Sequence, residues 1–290
     1  MDLPLGVLGV YAALGIWGVL LVRGFRSGAW NPFLIFGLGL MLFLNIRYLV
    51  EGSTDGIAFF IGIYDVLINI GLGGTVPEAM MACEGNACTV WGDRYAAHPA
   101  WGVAFYERFA NGPEFRSTLL YSHLTFNSIA FVLLHVQMMR PGGTAGFVSH
   151  KTLGRISFAA LTISLICACW LASQHGPVAE YGGNWSEYGF YSMAAVVYGC
   201  AIMGILAIRF GDPTRHRVWM FRFAGSMWGA FWLFRVMLFV IDPILRDYES
   251  AAILWCIWMS APLGALLGEI VRRRLDARSG GTVQARAAEA

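Results

Sequence analysis

The sequence predicts an all-α fold, a polytopic transmembrane helix bundle of about eight helices, on three observations. Hydrophobic residues make up 57% of the 290-residue chain and charged residues only 13%, whereas a soluble domain is about a quarter charged. The mean hydropathy is +0.59. Apolar runs of the length that crosses a bilayer as a helix, about 20 residues, recur along the chain. A net charge of +2 is too small to point to nucleic acid, which leaves the lipid bilayer as the first expected partner.

The first segment is Pro4–Val22. No basic stretch precedes it and no cleavage site stands before Arg23, so it reads as a membrane helix rather than a cleaved signal. Asn31–Val50 and Ile57–Gly74 follow. The third carries Asp65 and Asn69, four apart and so on one helical face, with Arg47 of the second helix as an ion partner by depth. These three form an N-terminal unit, 1–75. Residues 76–117 form a polar loop with Trp91, His98, Trp101, Tyr106 and Phe109, suited to a small cap or to a partner surface. Its Cys83 and Cys88, in CEGNAC, are a disulfide candidate in an oxidising compartment, or else two free thiols.

Thr118–Met139, Thr152–Ala172, Tyr188–Ile208 and Val218–Ile241 read as a four-helix up-down core within 118–243. Ala251–Val271 is the last crossing, in 244–272, and 273–290 is a polar tail expected to be disordered. Cys167, Cys169, Cys200 and Cys256 fall inside helices as small apolar packers.

Arginine and lysine set the orientation. Arg140, Lys151 and Arg155 flank one short connection, Arg209, Arg215 and Arg217 flank another, and Arg272, Arg273, Arg274 and Arg278 follow the last helix. Alternating crossings put all three groups on one side, the cytoplasmic side of a bacterial inner membrane. With eight crossings both termini are cytoplasmic, but Arg23 and Arg26 are then outside. With seven, those two arginines return inside.

Charge and histidine collect in GDPTRHRVWMFRF, residues 211–223. Asp212 and Pro213 are a helix start. His216 lies in the first turn, Trp219 at the lipid interface, and Arg217 and Arg222 beside lipid head groups. SHKTLGR opens the preceding core helix in the same way, with His150 after Ser149 and Arg155 a turn on. His135 lies five residues before Arg140, about 8 Å inside the same surface. A square bundle makes the helices bearing His150 and His216 diagonal partners, with their rings facing across the interior. A helix N-terminus disfavours added positive charge, and uncharged imidazole is the form that ligates metal. Such a layer, with Arg155, Arg217 and Arg222 to hold carboxylates or phosphates, suits haem iron, a quinone head group or an anionic lipid. Arg235 interrupts FWLFRVMLF about 25 Å along its helix and is expected to snorkel or to pair with Asp242, Glu180 or Glu187.

HLTFNSIAFVLLHVQMMRP, HKTLGR, GDPTRHRVWMFRF and the later Arg235 resemble a bacterial membrane family known as domain of unknown function number twenty-three oh-six. The matching positions are His123, Gln137, His150, Gly154, Arg155, Asp212, His216, Arg217, Trp219, Met220 and Arg235, within about Tyr121 to Pro243. The family's helical core is similar to that of cytochrome b-type four-helix membrane proteins. The resemblance therefore implies haem b, held by His150 and His216 with His135 and His123 as further candidates. His123 opens its helix at the other surface, where His175 is its one counterpart.

Three classes of function follow. One is haem- or quinone-linked electron transfer on the cytoplasmic side, with a membrane redox partner. Another is a non-catalytic assembly or lipid-binding subunit. The third is a small-solute transporter, against which stands the lack of paired interrupted helices. G-x-S-x-G, H-E-x-x-H and P-loop motifs are all missing.

Overall fold

The computed structural model describes residues 5–71, 108–109, 112–139, 149–174, 184–245 and 248–288. Side chains at 5, 7, 64, 65, 67–69, 249–250 and 279–288 are not described. The Cys83–Cys88 pairing, Arg140, Glu180, His175, the cap-forming aromatics other than Phe109, and the side chains of Asp65 and Asn69 lie outside the described residues.

Among the described residues every element is helical: α1 Leu5–Ser27, α2 Asn31–Glu51, α3 Ser53–Asn69, α4 Glu114–Met139, α5 His150–Ser173, α6 Asn184–Arg209, α7 Pro213–Ile244 and α8 Glu249–Ala288. Seven of them are long and apolar enough to cross a membrane, the exception being α3. The boundaries follow local chemistry. Ser149 accepts the Thr152 N–H at the start of α5, and Asp212 accepts the Arg215 N–H at the start of α7. Between α6 and α7, Gly211 at φ +75° closes a Schellman turn, with the Asp212 N–H on the Ala207 carbonyl and the Gly211 N–H on that of Ile208.

The bundle is apolar outside and holds polar groups within. Val19 is 69% exposed, Trp255 64% and Ile166 59%, an exterior that only hydrocarbon can solvate. Inside, Asn45 of α2 donates to the Ser128 hydroxyl of α4, Ser157 of α5 donates to the Ala130 carbonyl of α4, and Thr162 of α5 meets Tyr198 of α6. Cross-helix hydrogen bonds of this kind join helices where lipid tails remove the hydrophobic drive.

Glycine sets the closest approach. Gly225 and Gly229 of α7 lie against Gly264 and Gly268 of α8, and the helices run antiparallel. A Cβ on Gly229 would fall 2.1 Å from the Ser260 carbonyl oxygen, one on Gly225 2.3 Å from that of Gly264, and one on Gly268 2.2 Å from that of Phe221. No side chain fits there, so backbones touch, as small-xxx-small pairs allow. Helix α8 also packs on α6, where Gly189 admits Ile257 and Trp258. The expected four-helix core is therefore extended by α8.

The ends of the helices correct the topology. Arg278 of α8 donates to the Phe25 and Arg26 carbonyls of α1, so α1 finishes at the arginine-rich end. Glu51 and Ser53 lie at the opposite end, where the Ser53 N–H donates to Tyr121 near the start of α4. Helix α3 is 17 residues, about 25 Å, against a hydrocarbon thickness of about 30 Å. It stays at that opposite end. Phe60 stacks on Tyr48 at 5.0 Å, and the Tyr11 hydroxyl lies 2.7 Å from the Ile63 carbonyl and 2.6 Å from that of Phe239. Among the described residues seven helices, not eight, are long and apolar enough to cross, and α1 begins at the end opposite the close of α8. Arg23 and Arg26 lie at the end of the other arginines, as the seven-crossing alternative has it. Arg47, near the far end of α2, pairs with Glu51 at 2.7 Å and lies 3.9 Å over the Phe59 ring.

The polar tail assigned to disorder continues α8 as helix to Ala288. Arg272, Asp276 and Arg278 anchor its first turns.

Candidate functional site

At the arginine-rich end the motif residues tie helices together. His216 donates through Nδ1 to the Gly204 carbonyl of α6 at 2.8 Å, over a glycine whose Cβ would meet Met220 Sδ at 2.9 Å. Gln137 of α4 sits against Gly154 of α5. Arg217 pairs with Asp276. Glu269 gathers Arg222 at 3.4 Å, Arg272 at 2.7 Å and Arg273 at 2.8 Å, and Arg272 also reaches Asp276. Arg222 lies 4.7 Å over the Trp219 ring. Asp212 serves as the α7 cap, as expected. Arg217 and Arg222 are consumed by acids of α8, a partner the sequence reading did not assign to them.

The histidine layer does not converge. His150 and Arg155 are exposed on α5. His216 turns to α6. His135 is fully buried between Phe131 and Trp228, with Nδ1 donating to the Phe131 carbonyl at 2.6 Å. Rise along a helix axis fixes only one coordinate. Rotation about each axis sends one ring outward, one to a neighbouring backbone and one into the core. Axial ligation of haem needs two imidazoles on one cavity, and these residues do not fit it. Among the described residues no three His, Cys, Asp or Glu side chains come together as a metal site. The helical cysteines Cys167, Cys169, Cys200 and Cys256 are free thiols, and all but Cys169 are buried.

The opposite end does bring motif residues together. His123 of α4 and Arg235 of α7 line one cavity of about 240 Å³ with Tyr48 of α2 and Arg108, among apolar walls that include Phe60, Leu124, Phe190 and Ile253. His123 and Arg235 each lie nine residues from the ends of their helices there, roughly 13 Å along the axis. Ser164 of α5, fully buried, holds the His123 ring, with its carbonyl 3.0 Å and its hydroxyl 2.9 Å from Nδ1. The carbonyl can only accept, so Nδ1 carries the hydrogen and Nε2 is left as an acceptor. Arg235 donates to the Phe231 carbonyl at 3.0 Å, and its guanidinium lies 3.7 Å over the Phe231 ring and 6.0 Å from that of Phe60. Neither expected described acid pairs with it, since Glu187 instead accepts from Tyr191 at 2.6 Å and no ion pair joins Arg235 to Asp242.

Helix α7 is rewound around Arg235. Gly229–Leu233 and Met237–Ile241 are π-helical, with the Phe234 N–H on the Gly229 carbonyl and the Asp242 N–H on that of Met237. Such turns gather at functional sites. Arg235 and His123 stand out in the sequence, whereas Arg108, Tyr48 and Ser164 carry no signal of their own. Arg108, which donates to the Leu171 carbonyl at 3.0 Å, comes from the long loop.

A family model described as predicted membrane protein (DUF2306) matches residues 120–270. No curated protein and no solved structure matches the chain. The matched region is more than half of the chain, runs from α4 into α8, and contains His123, Ser164, Arg235 and both glycine pairs. The protein belongs to this family of predicted membrane proteins, DUF2306.

Proposed function

We propose that this multi-pass membrane protein binds an amphiphile through an acidic head group in the cavity of His123 and Arg235. The observation that carries the reading is Arg235. It sits well inside the span between two π-turns and beside a cavity, with no carboxylate paired to it among the described residues. A cation removed from water is costly unless paired, and a carboxylate or phosphate can take two of the guanidinium's N–H donors. His123 Nε2 accepts from a protonated oxygen of the same head. A volume of about 240 Å³ holds a head group, not a whole lipid, so the tail stays in the bilayer. With the arginines toward the cytoplasm of a bacterial inner membrane, the amphiphile arrives from the outer leaflet.

This replaces the electron-transfer site expected on the cytoplasmic side with a lipid-binding role at the other. His150 and His216 are given no iron, because His150 is exposed on α5 and the His216 ring is taken up by the Gly204 carbonyl of α6.

The test is the acidic lipid that stays with the protein through detergent purification, measured by mass spectrometry against protein amount. Wild type retains about one equivalent of an acidic amphiphile. Arg235→Met retains at least tenfold less, while Arg235→Lys, which keeps the charge, falls between. Equal retention by Arg235→Met and wild type sinks the proposal.

A further inference from the structure

The walls of the His123–Arg235 cavity restrict which acidic head can enter it. Three of its lining side chains, Arg235, Tyr48 and His123, carry polar atoms that no protein group uses among the described residues. Arg235 spends Nη1 on the Phe231 carbonyl, which leaves Nε and Nη2 as donors. The Tyr48 hydroxyl and His123 Nε2 are the other two. His135 Nε2 is sealed in protein without a partner, whereas none of these atoms is sealed. The charge of Arg235 acts on both Tyr48 and His123, so the three groups are near enough to serve one head.

Their hydrogen-bond roles are set by chemistry. A guanidinium only donates, and a tyrosine hydroxyl donates to an anion. His123 Nε2 only accepts, because Nδ1 carries the hydrogen for the Ser164 carbonyl, and the Ser164 hydroxyl has an acceptor of its own in the His123 carbonyl at 3.2 Å. The site therefore asks for two accepting oxygens and one O–H on the same anion. A carboxylate has two oxygens and no hydrogen. Protonating it supplies the hydrogen but removes the charge that answers Arg235. A phosphodiester also has two free oxygens and no hydrogen. A phosphate monoester that keeps one proton has all three, with a single negative charge. Its last proton leaves at about pH 6, so keeping it near neutral pH costs little, and burial favours the less charged form.

We infer that the head group is a phosphate monoester. Its monoanion accepts from Arg235 and from the Tyr48 hydroxyl on two oxygens and donates its P–OH hydrogen to His123 Nε2. The inference rests on the acidic-head reading and narrows it.

The probes are dioleoyl phosphatidic acid (a monoester), dioleoyl phosphatidylglycerol (a diester), oleate and inorganic phosphate. Each is titrated at about pH 6.5, near the monoester's own pKa, into the whole chain stripped of co-purified lipid in dodecylmaltoside, and native mass spectrometry counts the complexes. Wild type binds phosphatidic acid at least tenfold more tightly than phosphatidylglycerol or oleate, as one hydrogen bond to a charged group provides. Inorganic phosphate at equal concentration does not displace it. His123→Phe brings phosphatidic acid down to the level of phosphatidylglycerol and leaves phosphatidylglycerol unchanged, whereas Tyr48→Phe weakens all three lipids about tenfold. The wild-type comparison needs no substitution, so it decides the matter even if His123→Phe does not fold. Equal binding of the three lipids by wild type, with all of them lost in Arg235→Met, overturns the monoester and leaves the acidic-head site standing. Absence of binding by all three overturns both. A preference that survives in His123→Phe, or displacement by inorganic phosphate at equal concentration, also overturns the inference.

Discussion

Gly229→Ala puts a methyl group where the structure has backbone. Its Cβ would fall 2.1 Å from the Ser260 carbonyl oxygen and 2.8 Å from the Gly264 Cα. Ordinary contact for such atoms begins above about 3.2 Å, so α7 and α8 must part locally by about 1 Å. Attraction between carbon atoms fades over that distance, and the loss runs along the whole glycine seam. Overpacking of a tight interior costs about 1–3 kcal/mol, and here the obstacle is backbone that no rotamer change can move. The gain in helix propensity from Gly to Ala, about 1 kcal/mol, offsets part. A net loss of about 2 kcal/mol is expected for Gly229→Ala, and Ser260→Gly does not rescue it, since the clash is with a carbonyl. Gly199→Ala is the control. Nothing lies within 4 Å of its Cβ position, so it should be neutral or slightly stabilising. Unfolding in mixed dodecylmaltoside–SDS micelles, followed by circular dichroism, reads both. If Gly229→Ala matches Gly199→Ala, the backbone contact does not hold the two helices.

Further outcomes follow from the two ends of the bundle. Glu269→Ala leaves Arg222, Arg272 and Arg273 without their shared acid and should cost about 2 kcal/mol in the same unfolding titration, below the roughly 3–5 kcal/mol of breaking a fully buried pair because Arg273 is largely exposed and Arg272 keeps Asp276. His216→Ala strips the Gly204 carbonyl of its donor and should lose about 1 kcal/mol, whereas His150→Ala should be neutral. The visible absorbance of protein from haem-supplemented cells should be the same with and without both substitutions, and loss of a Soret band in the double variant would restore the histidine layer as a haem site. In a cysteine-free background, Asp55→Cys should react with a membrane-impermeant maleimide on intact cells, while Ser27→Cys and Ala277→Cys should react only after permeabilisation. Labelling of Ser27→Cys on intact cells while Ala277→Cys stays protected would remove the seven-crossing topology.

Helix positions were legible because each span must be apolar over its whole length. Asn31–Val50 and Thr118–Met139 fall within a few residues of α2 and α4, and the Asp212 cap was readable from its side chain alone. The third segment was misread because hydropathy records apolar length and not tilt, and α3 lies in apolar surroundings without crossing them. The histidine layer failed for a related reason. Rise per residue gives depth, but the direction of a first-turn side chain depends on which helices pack beside it, and α8 was not counted in the core. The glycine seam was visible as GSMWG and GALLG, residues 225–229 and 264–268, whose four-residue spacing is a packing signal. The cavity around Arg235 was half legible. An arginine in an apolar run is conspicuous, but its distance from acids and the contribution of Arg108 from a distant loop depend on the tertiary fold.

The two π-turns in α7 make that helix a carrier of phase. Each five-residue hydrogen-bond spacing accommodates one residue more than a regular turn, and an α-helix advances about 100° per residue. Deleting one residue from 229–233 would let the segment rewind as ordinary α-helix. The stretch beyond it would keep about its present direction, because the residue removed is the one the wide turn absorbs, whereas the same deletion in a regular turn would swing it by about 100° and carry the guanidinium off its cavity. A one-residue gap within 229–233 should therefore be tolerated better than one in the regular turns of 213–228.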